Sequence, residues 1–268
     1  MIDSHAHLWR LGENVCTWPT PDLKAIHRNF VLDDLRAVAG AAGVEGVILV
    51  QSQASLADTE WLLGLAIDPL IAGVVGWVDF SAPDASERIR ALAQAKALRG
   101  LRPMVQDLES DWYDSPVLEA AVGTMSELGL VLDGLVRPKH LPSLRRLAQR
   151  HPQLSIVIDH GAKPDFSDLS GWRNEIGTIA RLPNVTCKLS GLLTELPPGA
   201  PPQAINPAFE ILWDCFGSER LIWGSDWPVL TLFDDYNTWL SQAQKLVPAE
   251  HHNAVLDGNA RRIYAIKA

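Results

Sequence analysis

Short β-rich apolar runs, each followed by a stretch with helical spacing, recur from one end of the chain to the other. Eight runs have this character: IDSHAH (2–7), GVILVQ (46–51), AGVVGWV (72–78), LRGLRP (98–103), GLVLDGL (129–135), LSIVIDH (154–160), NVTCKLSG (184–191) and RLIWGSD (220–226). They are nearly continuous in apolar residues, as expected when both faces of a parallel sheet are covered. Between them, Leu32, Leu35, Val38 and Ala42 lead to a Gly43 stop, Ile89, Leu92 and Ala93 follow Asp84, and Leu141, Leu144, Leu147 and Ala148 precede Pro152. Asp84 and Ser115 read as N-caps, with Pro116 at a first helical position.

Eight βα units in roughly 250 residues predict a (β/α)8 TIM barrel, one domain spanning 1–268. The rival, an open doubly wound sheet, usually carries G-x-G-x-x-G in its first strand-to-helix turn, and here that turn reads HAHLWR. The longest irregular pieces, 8–30 and 197–203, follow strand ends and are expected as loops over the barrel mouth.

Barrel chemistry sits at the C-terminal ends of the strands. Those ends carry His5 and His7, Gln51, Trp77, Arg102, Asp133, His160, Lys188 and Asp226. On an extended segment His5 and His7 share one face, about 7 Å apart at Cα, so both can reach one ion or one substrate oxygen. Any of these residues alone has a plain structural role open to it. Asp133 can cap a helix or hold a ligand in place, Lys188 can pair with a carboxylate, and Arg102 is as well suited to bridging loops as to gripping substrate. Their convergence on one barrel end, with buried charge costly unless paired or used, points to an active site.

Composition narrows the class. The chain has 268 residues, 47% of them hydrophobic, and a formal charge of −9 without a basic run. Nucleic acid and anionic membranes are therefore poor partners. Cys16, Cys187 and Cys215 are widely spaced and odd in number, which suggests reduced thiols. With neither a leader-like start nor an apolar stretch of membrane-spanning length, the expected location is cytoplasmic.

MIDSHAH, GLRPM with Gln106 close behind, VIDHGAKPD, NVTCKLSGL and LIWGSDWPVL, in this order and followed by NARRIY at 259–264, resemble the amidohydrolase superfamily. More narrowly they resemble its aldonolactonase-type group, which includes L-fuconolactonases and L-rhamnonolactonases, with pyrone dicarboxylate lactonases more distant. The resemblance implies a distorted (β/α)8 barrel whose site is built on His5, His7, His160 and Asp226. It also exposes a departure. Members with two metals carry a histidine after strand five and often a bridging lysine or acid at strand four, where this chain has Asp133 and Arg102. One divalent metal, zinc first, is expected, bound by His5, His7, His160 and Asp226; the group contains members with and without a metal requirement, so catalysis without metal stays open.

The implied reaction is hydrolysis of a neutral sugar lactone in sugar catabolism, with Asp226 as general base and His160 beside it as a catalytic group. A dicarboxylate would call for several arginines, and the supply of Arg102, Lys163 and Lys188 is thin. Arg102, Gln106, Lys163 and Lys188 are the polar candidates for substrate contact. Six tryptophans, Trp9, Trp18, Trp77, Trp112, Trp172 and Trp227, fall at strand ends or mouth loops, and Trp77, Trp112 and Trp227 are the chosen aromatic contacts. His27, His140, His151, His251 and His252 read as surface residues. A lactone isomerase, a decarboxylase on the same barrel, and a non-catalytic sugar-binding protein are the competing functions.

Overall fold

The strands lie one beside the next in chain order, all parallel, in a computed structural model that describes residues 1–267. They are β1 (Ile2–Ala6), β2 (Gly46–Val50), β3 (Ile71–Gly76), β4 (Leu98–Leu101), β5 (Val131–Gly134), β6 (Ile156–Ile158), β7 (Val185–Leu189) and β8 (Leu221–Trp223). Helices α1 (Leu32–Ala41), α2 (Leu56–Leu65), α3 (Ala85–Leu92), α4 (Glu119–Leu128), α5 (Leu141–Arg150), α6 (Ser170–Ile179), α7 (Asn206–Arg220) and α8 (Tyr236–Leu246) alternate with them, and α9 (Asn259–Ile263) follows. This is the (β/α)8 barrel that the periodicity predicts.

Asp84 and Ser115 stand at the expected N-cap positions, of α3 and of a short turn ahead of α4. Neither Asp84 nor Ser115 caps through its side chain; Asp84 instead accepts from Arg88 Nε at 2.8 Å, and Pro116 opens a 3-10 turn ahead of α4. One histidine read as a surface residue, His140, is fully buried, its ring bridging the Arg137 N–H and the Leu108 carbonyl.

The barrel closes between β8 and β1. His7 N donates to the Trp227 carbonyl at 2.7 Å, Asp226 N to the His5 carbonyl at 2.8 Å, and Ser4 Oγ to the Trp223 carbonyl at 2.6 Å. Asp3 ties this seam, accepting from Ser225 N at 2.9 Å and from the Tyr236 hydroxyl at 2.7 Å. The core is in two parts. Most apolar side chains pack between strands and helices, while Ile2, Ile48, Val75, Val131, Val157 and Ile222 plug the inside of the barrel. Because strand side chains alternate, the residues two positions beyond that plug point inward again. On β5 and just past β6 they are Asp133 and Asp159, and Lys188 of β7 joins them, so one apolar layer supports one charged layer.

Candidate active site

A register shift in β1 between Asp3 and Ala6 brings His5 into the charged layer. Gly224 makes room for it, since a Cβ there would lie 2.8 Å from the His5 Cβ. His7 stands at the mouth with its Nδ1 2.7 Å from the Val50 carbonyl, which can only accept, so Nδ1 carries the proton and Nε2 is free. The Nε2 atoms of His5 and His7 are 3.1 Å apart, and Asp226 Oδ1 lies 3.7 Å from the first and 3.4 Å from the second. His160 Nε2 is 3.9 Å from the same oxygen.

The backbone that presents these groups is strained. His160, Ala162, Lys163 and Asp226 all have positive φ (53°, 63°, 51° and 58°), a region that residues with a Cβ rarely enter. His160 is held there by its Nδ1, 2.9 Å from Ser190 Oγ, and by the bare face of Gly191 against its ring.

Below the mouth lies a second tier. Lys188, fully buried, meets Asp133 Oδ2 at 2.5 Å, Asp159 Oδ1 at 2.9 Å and His5 Nδ1 at 3.0 Å. Tyr264, from the end of α9, donates to Asp133 at 2.9 Å. Arg102 reaches in from β4, its Nη1 3.3 Å from Asp159 Oδ2 and its Nη2 donating to the Gln51 carbonyl. Burial works against the Lys188 ammonium, but Asp133 and Asp159 outweigh it and hold the amine above its ordinary range.

Burial also acts on the upper tier. It would raise the Asp226 carboxyl, but His160, a hydrogen bond with His7, and His5 outweigh it and hold the group well below the usual carboxylate range. Burial pushes His160 down to about 4, against the pull of Asp226 and Asp159. Asp226 is thus an anion, and His160 neutral, at pH 7. The same shift makes stability depend on pH. Between pH 6.5 and 4 the unfolded chain takes up a proton that folded His160 refuses, so its effect is absent above 6.5 and destabilising as pH falls. Chelator-treated protein should lose about 2 kcal/mol of unfolding free energy from this group between pH 6.5 and 5. Urea titrations of wild type and His160→Gln at both pH values check this; equal losses in the two proteins would contradict it.

The donors suit a metal. His5, His7 and Asp226 offer ligand atoms all within 4.8 Å of one another, as do His5, Asp159 and His160. Ligands around a tetrahedral zinc at ordinary bond lengths sit about 3.4 Å apart, close to the spacings of the His5, His7 and Asp226 atoms. Among the described residues, the groups within 4 Å of the Asp226 carboxylate that can carry positive charge are these histidines alone. A buried carboxylate set among imidazoles is a cation-seeking arrangement.

These groups open onto a cavity of about 300 Å³ lined by His7, Trp18, Ser52, Arg102, Met104, Gln106, Asp107, Leu135, His160, Lys163, Asp226 and Val229. The structure therefore brings His7, His160, Asp226, Arg102, Gln106 and Lys163 together at one mouth, with His5 directly beneath. It does not bring the others. Lys188 is sealed in the tier below, so contact with substrate gives way to support of His5. Among the described residues, Trp77, Trp112 and Trp227 are absent from the cavity wall. Trp77 bonds through its backbone to Thr59, Trp112 packs on Phe80 and Tyr113, and Trp227 is buried against Phe30. Trp18, from the 8–30 loop, is the tryptophan that lines the cavity, whereas 197–203 lies over a separate groove. Sequence reasoning passed over Asp159, although an acid ending an apolar run is the signal that singled out Asp226. For Ser52, Asp107 and Tyr264 no local signal distinguishes them from ordinary loop or helix residues.

Fold and site together define a parallel α/β barrel with a histidine and carboxylate centre at the C-terminal mouth, the arrangement of a barrel hydrolase. The chain belongs to the amidohydrolase family, whose model matches residues 2–266. It is similar to an L-fucono-1,5-lactonase of Burkholderia ambifaria, 41% identical over 99% of this chain and 95% of that one. It is 34% identical to an L-fucono-1,5-lactonase of Burkholderia multivorans over 99% and 96% of the two chains. An amidohydrolase from Burkholderia multivorans with bound zinc superposes with a TM-score of 0.93 at 33% identity, covering 99% of both chains. In the described residues no helix is long and apolar enough to cross a membrane.

Proposed function

We propose that this protein hydrolyses a neutral sugar lactone, a 1,5- or 1,4-lactone of an L-fucono, L-rhamnono or L-galactono type, to the aldonic acid. The observation that carries the reading is Asp226, an ionised carboxylate in the wall of the mouth cavity, faced by three imidazoles. The two full-length lactonase relatives supply the bond to be broken.

Asp226 takes a proton from the attacking water as the oxygen adds to the lactone carbonyl. It returns that proton to the ring oxygen when the tetrahedral intermediate collapses and the ring C–O bond breaks. Arg102 and the imidazoles face the carbonyl oxygen, where negative charge develops. A divalent ion, zinc first, held by His5, His7, His160 and Asp226 would polarise the carbonyl and acidify water. Gln106, Ser52 and Asp107 meet hydroxyls, and Trp18 offers a flat face to the C–H side of the ring. Charge favours a neutral ring over a dicarboxylate. Arg102 is paired with Asp159 and Lys163 with Glu195 at 2.7 Å, while Asp107 and Asp226 add negative charge to the cavity wall.

Proton release from a panel of aldonolactones and dicarboxylate lactones, before and after chelation and with zinc added back, tests the reading. Rapid release is expected from six-carbon and 6-deoxy aldonolactones and little from the dicarboxylates. Silence across all neutral lactones with and without zinc would overturn it.

A further inference from the structure

One continuous line of hydrogen bonds runs through the centre of the site. Lys188 Nζ can only donate; it bonds Asp133 Oδ2 and, at 3.0 Å, His5 Nδ1, and it stands 2.9 Å from Asp159 Oδ1 as an ion pair. An Nδ1 that accepts carries no proton, so the His5 proton sits on Nε2. That atom is 3.1 Å from His7 Nε2, which is free to accept because His7 Nδ1 donates to the Val50 carbonyl at 2.7 Å. Arg102 Nη1, also a donor, faces His5 Nε2 at 3.5 Å, farther than the 3.1 Å to His7, and reversing either of the two shorter bonds leaves two protons or two lone pairs facing each other inside the barrel.

The Nε2–H form of His5 is the wrong form for a metal ligand, because its lone pair then points at Lys188 and not at the mouth. The other form has an acceptor waiting. Asp159 Oδ1 lies 3.4 Å from the same His5 Nδ1, where it can take an Nδ1–H and free Nε2. Lys188 and Asp159 thus compete for a single ring nitrogen, and the ammonium is the nearer.

We propose that Lys188 is a positioning residue that holds His5 in its Nε2–H form, and that a divalent ion is admitted only when His5 exchanges this proton with solvent for one on Nδ1, donated to Asp159. No bond to carbon changes, and Lys188 keeps its protons, losing only the hydrogen bond to His5. The Lys188 and Asp159 pair then sets zinc affinity from beneath the site, whichever ester the mouth opens.

Two measurements that involve no turnover test this. In a two-bond 1H–15N correlation spectrum of chelator-treated protein, His5 should read as the Nε2–H tautomer in wild type and as Nδ1–H in Lys188→Met. Zinc affinity, by competition with a chromophoric chelator, should rise about tenfold in Lys188→Met and fall by ten- to a hundredfold in Asp159→Asn, the range seen when a partner behind a metal ligand is lost. An Nδ1–H signal for wild-type His5 overturns the proposal without any variant, which covers the case of Lys188→Met failing to fold. A folded Lys188→Met with its tautomer unchanged, or with zinc binding unchanged or weakened, overturns it as well. A residue that merely filled space would move stability and leave the tautomer where it was. Loss of the lactonase reading would leave both measurements as informative as before.

Discussion

Asp226→Asn should lower turnover of the lactone about a thousandfold and leave the barrel folded, with a thermal midpoint modestly below that of wild type. The first half follows from the loss of the carboxylate that faces the three imidazoles at the mouth. Removing a positioned general base costs about 10²–10⁴ in rate, and an amide neither accepts the proton of water nor returns it to the ring oxygen. The second half follows from where the charge sits. Asp226 is buried, and His160, His7 and His5 hold its carboxyl well below the usual range, so its ionised form adds stability at neutral pH that the amide forgoes. An asparagine of the same shape removes the charge and retains the backbone bond from Asp226 N to the His5 carbonyl. Paired measurements of kcat/KM and thermal midpoint decide the matter. Near-normal turnover would remove Asp226 from the chemistry, and a large fall in midpoint would make it part of the scaffold.

Gly191→Ala is expected to cost at least about a hundredfold in kcat/KM through a methyl group that never touches substrate. At Gly191 φ is +59°, and an added Cβ would stand 2.4 Å from His160 Nδ1 and 2.6 Å from its Cγ. The ring cannot yield in place, being buried and bonded to Ser190 Oγ, so it must leave the position opposite Asp226. Displacement of a reacting group by about 1 Å is enough for a loss of that size. Stability should fall too, by about 1–3 kcal/mol, from the left-handed backbone and the crowding. Gly123→Ala is the matched control. It lies within α4 with nothing inside 4 Å of the added methyl, and should stabilise by roughly 0.5–1 kcal/mol with unchanged turnover. Full activity in Gly191→Ala would show that His160 has more freedom than its surroundings allow.

The strands were legible because their signal is local and strong. An apolar run such as GVILV buries every side chain, and no other arrangement of eight such runs alternating with helices closes so simply. The upper tier was legible for the same reason, since His5, His7, His160 and Asp226 each end a run. The lower tier was not. Whether Lys188 faces substrate or an acid depends on the strand beside it, and its partners Asp133 and Asp159 lie on β5 and at the end of β6, 55 and 29 positions away in sequence. The tryptophans failed for a different reason. Their size makes them useful at a mouth and equally useful as packing, and Trp227 turns onto Phe30 while Trp18, with no strand behind it, reaches the cavity.

The seam between β1 and β8 joins residues 219 positions apart, as in the bond from Ser4 to the Trp223 carbonyl. During synthesis His5 and His7 therefore exist long before the carboxylate that faces them, and Asp133 is made 131 residues ahead of Tyr264. A nascent chain halted before β8 holds an unmated edge on β1 and an ammonium and imidazoles lacking their last neighbours, the kind of exposed template on which other chains add. Competence arrives in a single late event on the ribosome's schedule, and the burden of keeping the half-made ring apart from its copies falls on whatever shelters the chain until then.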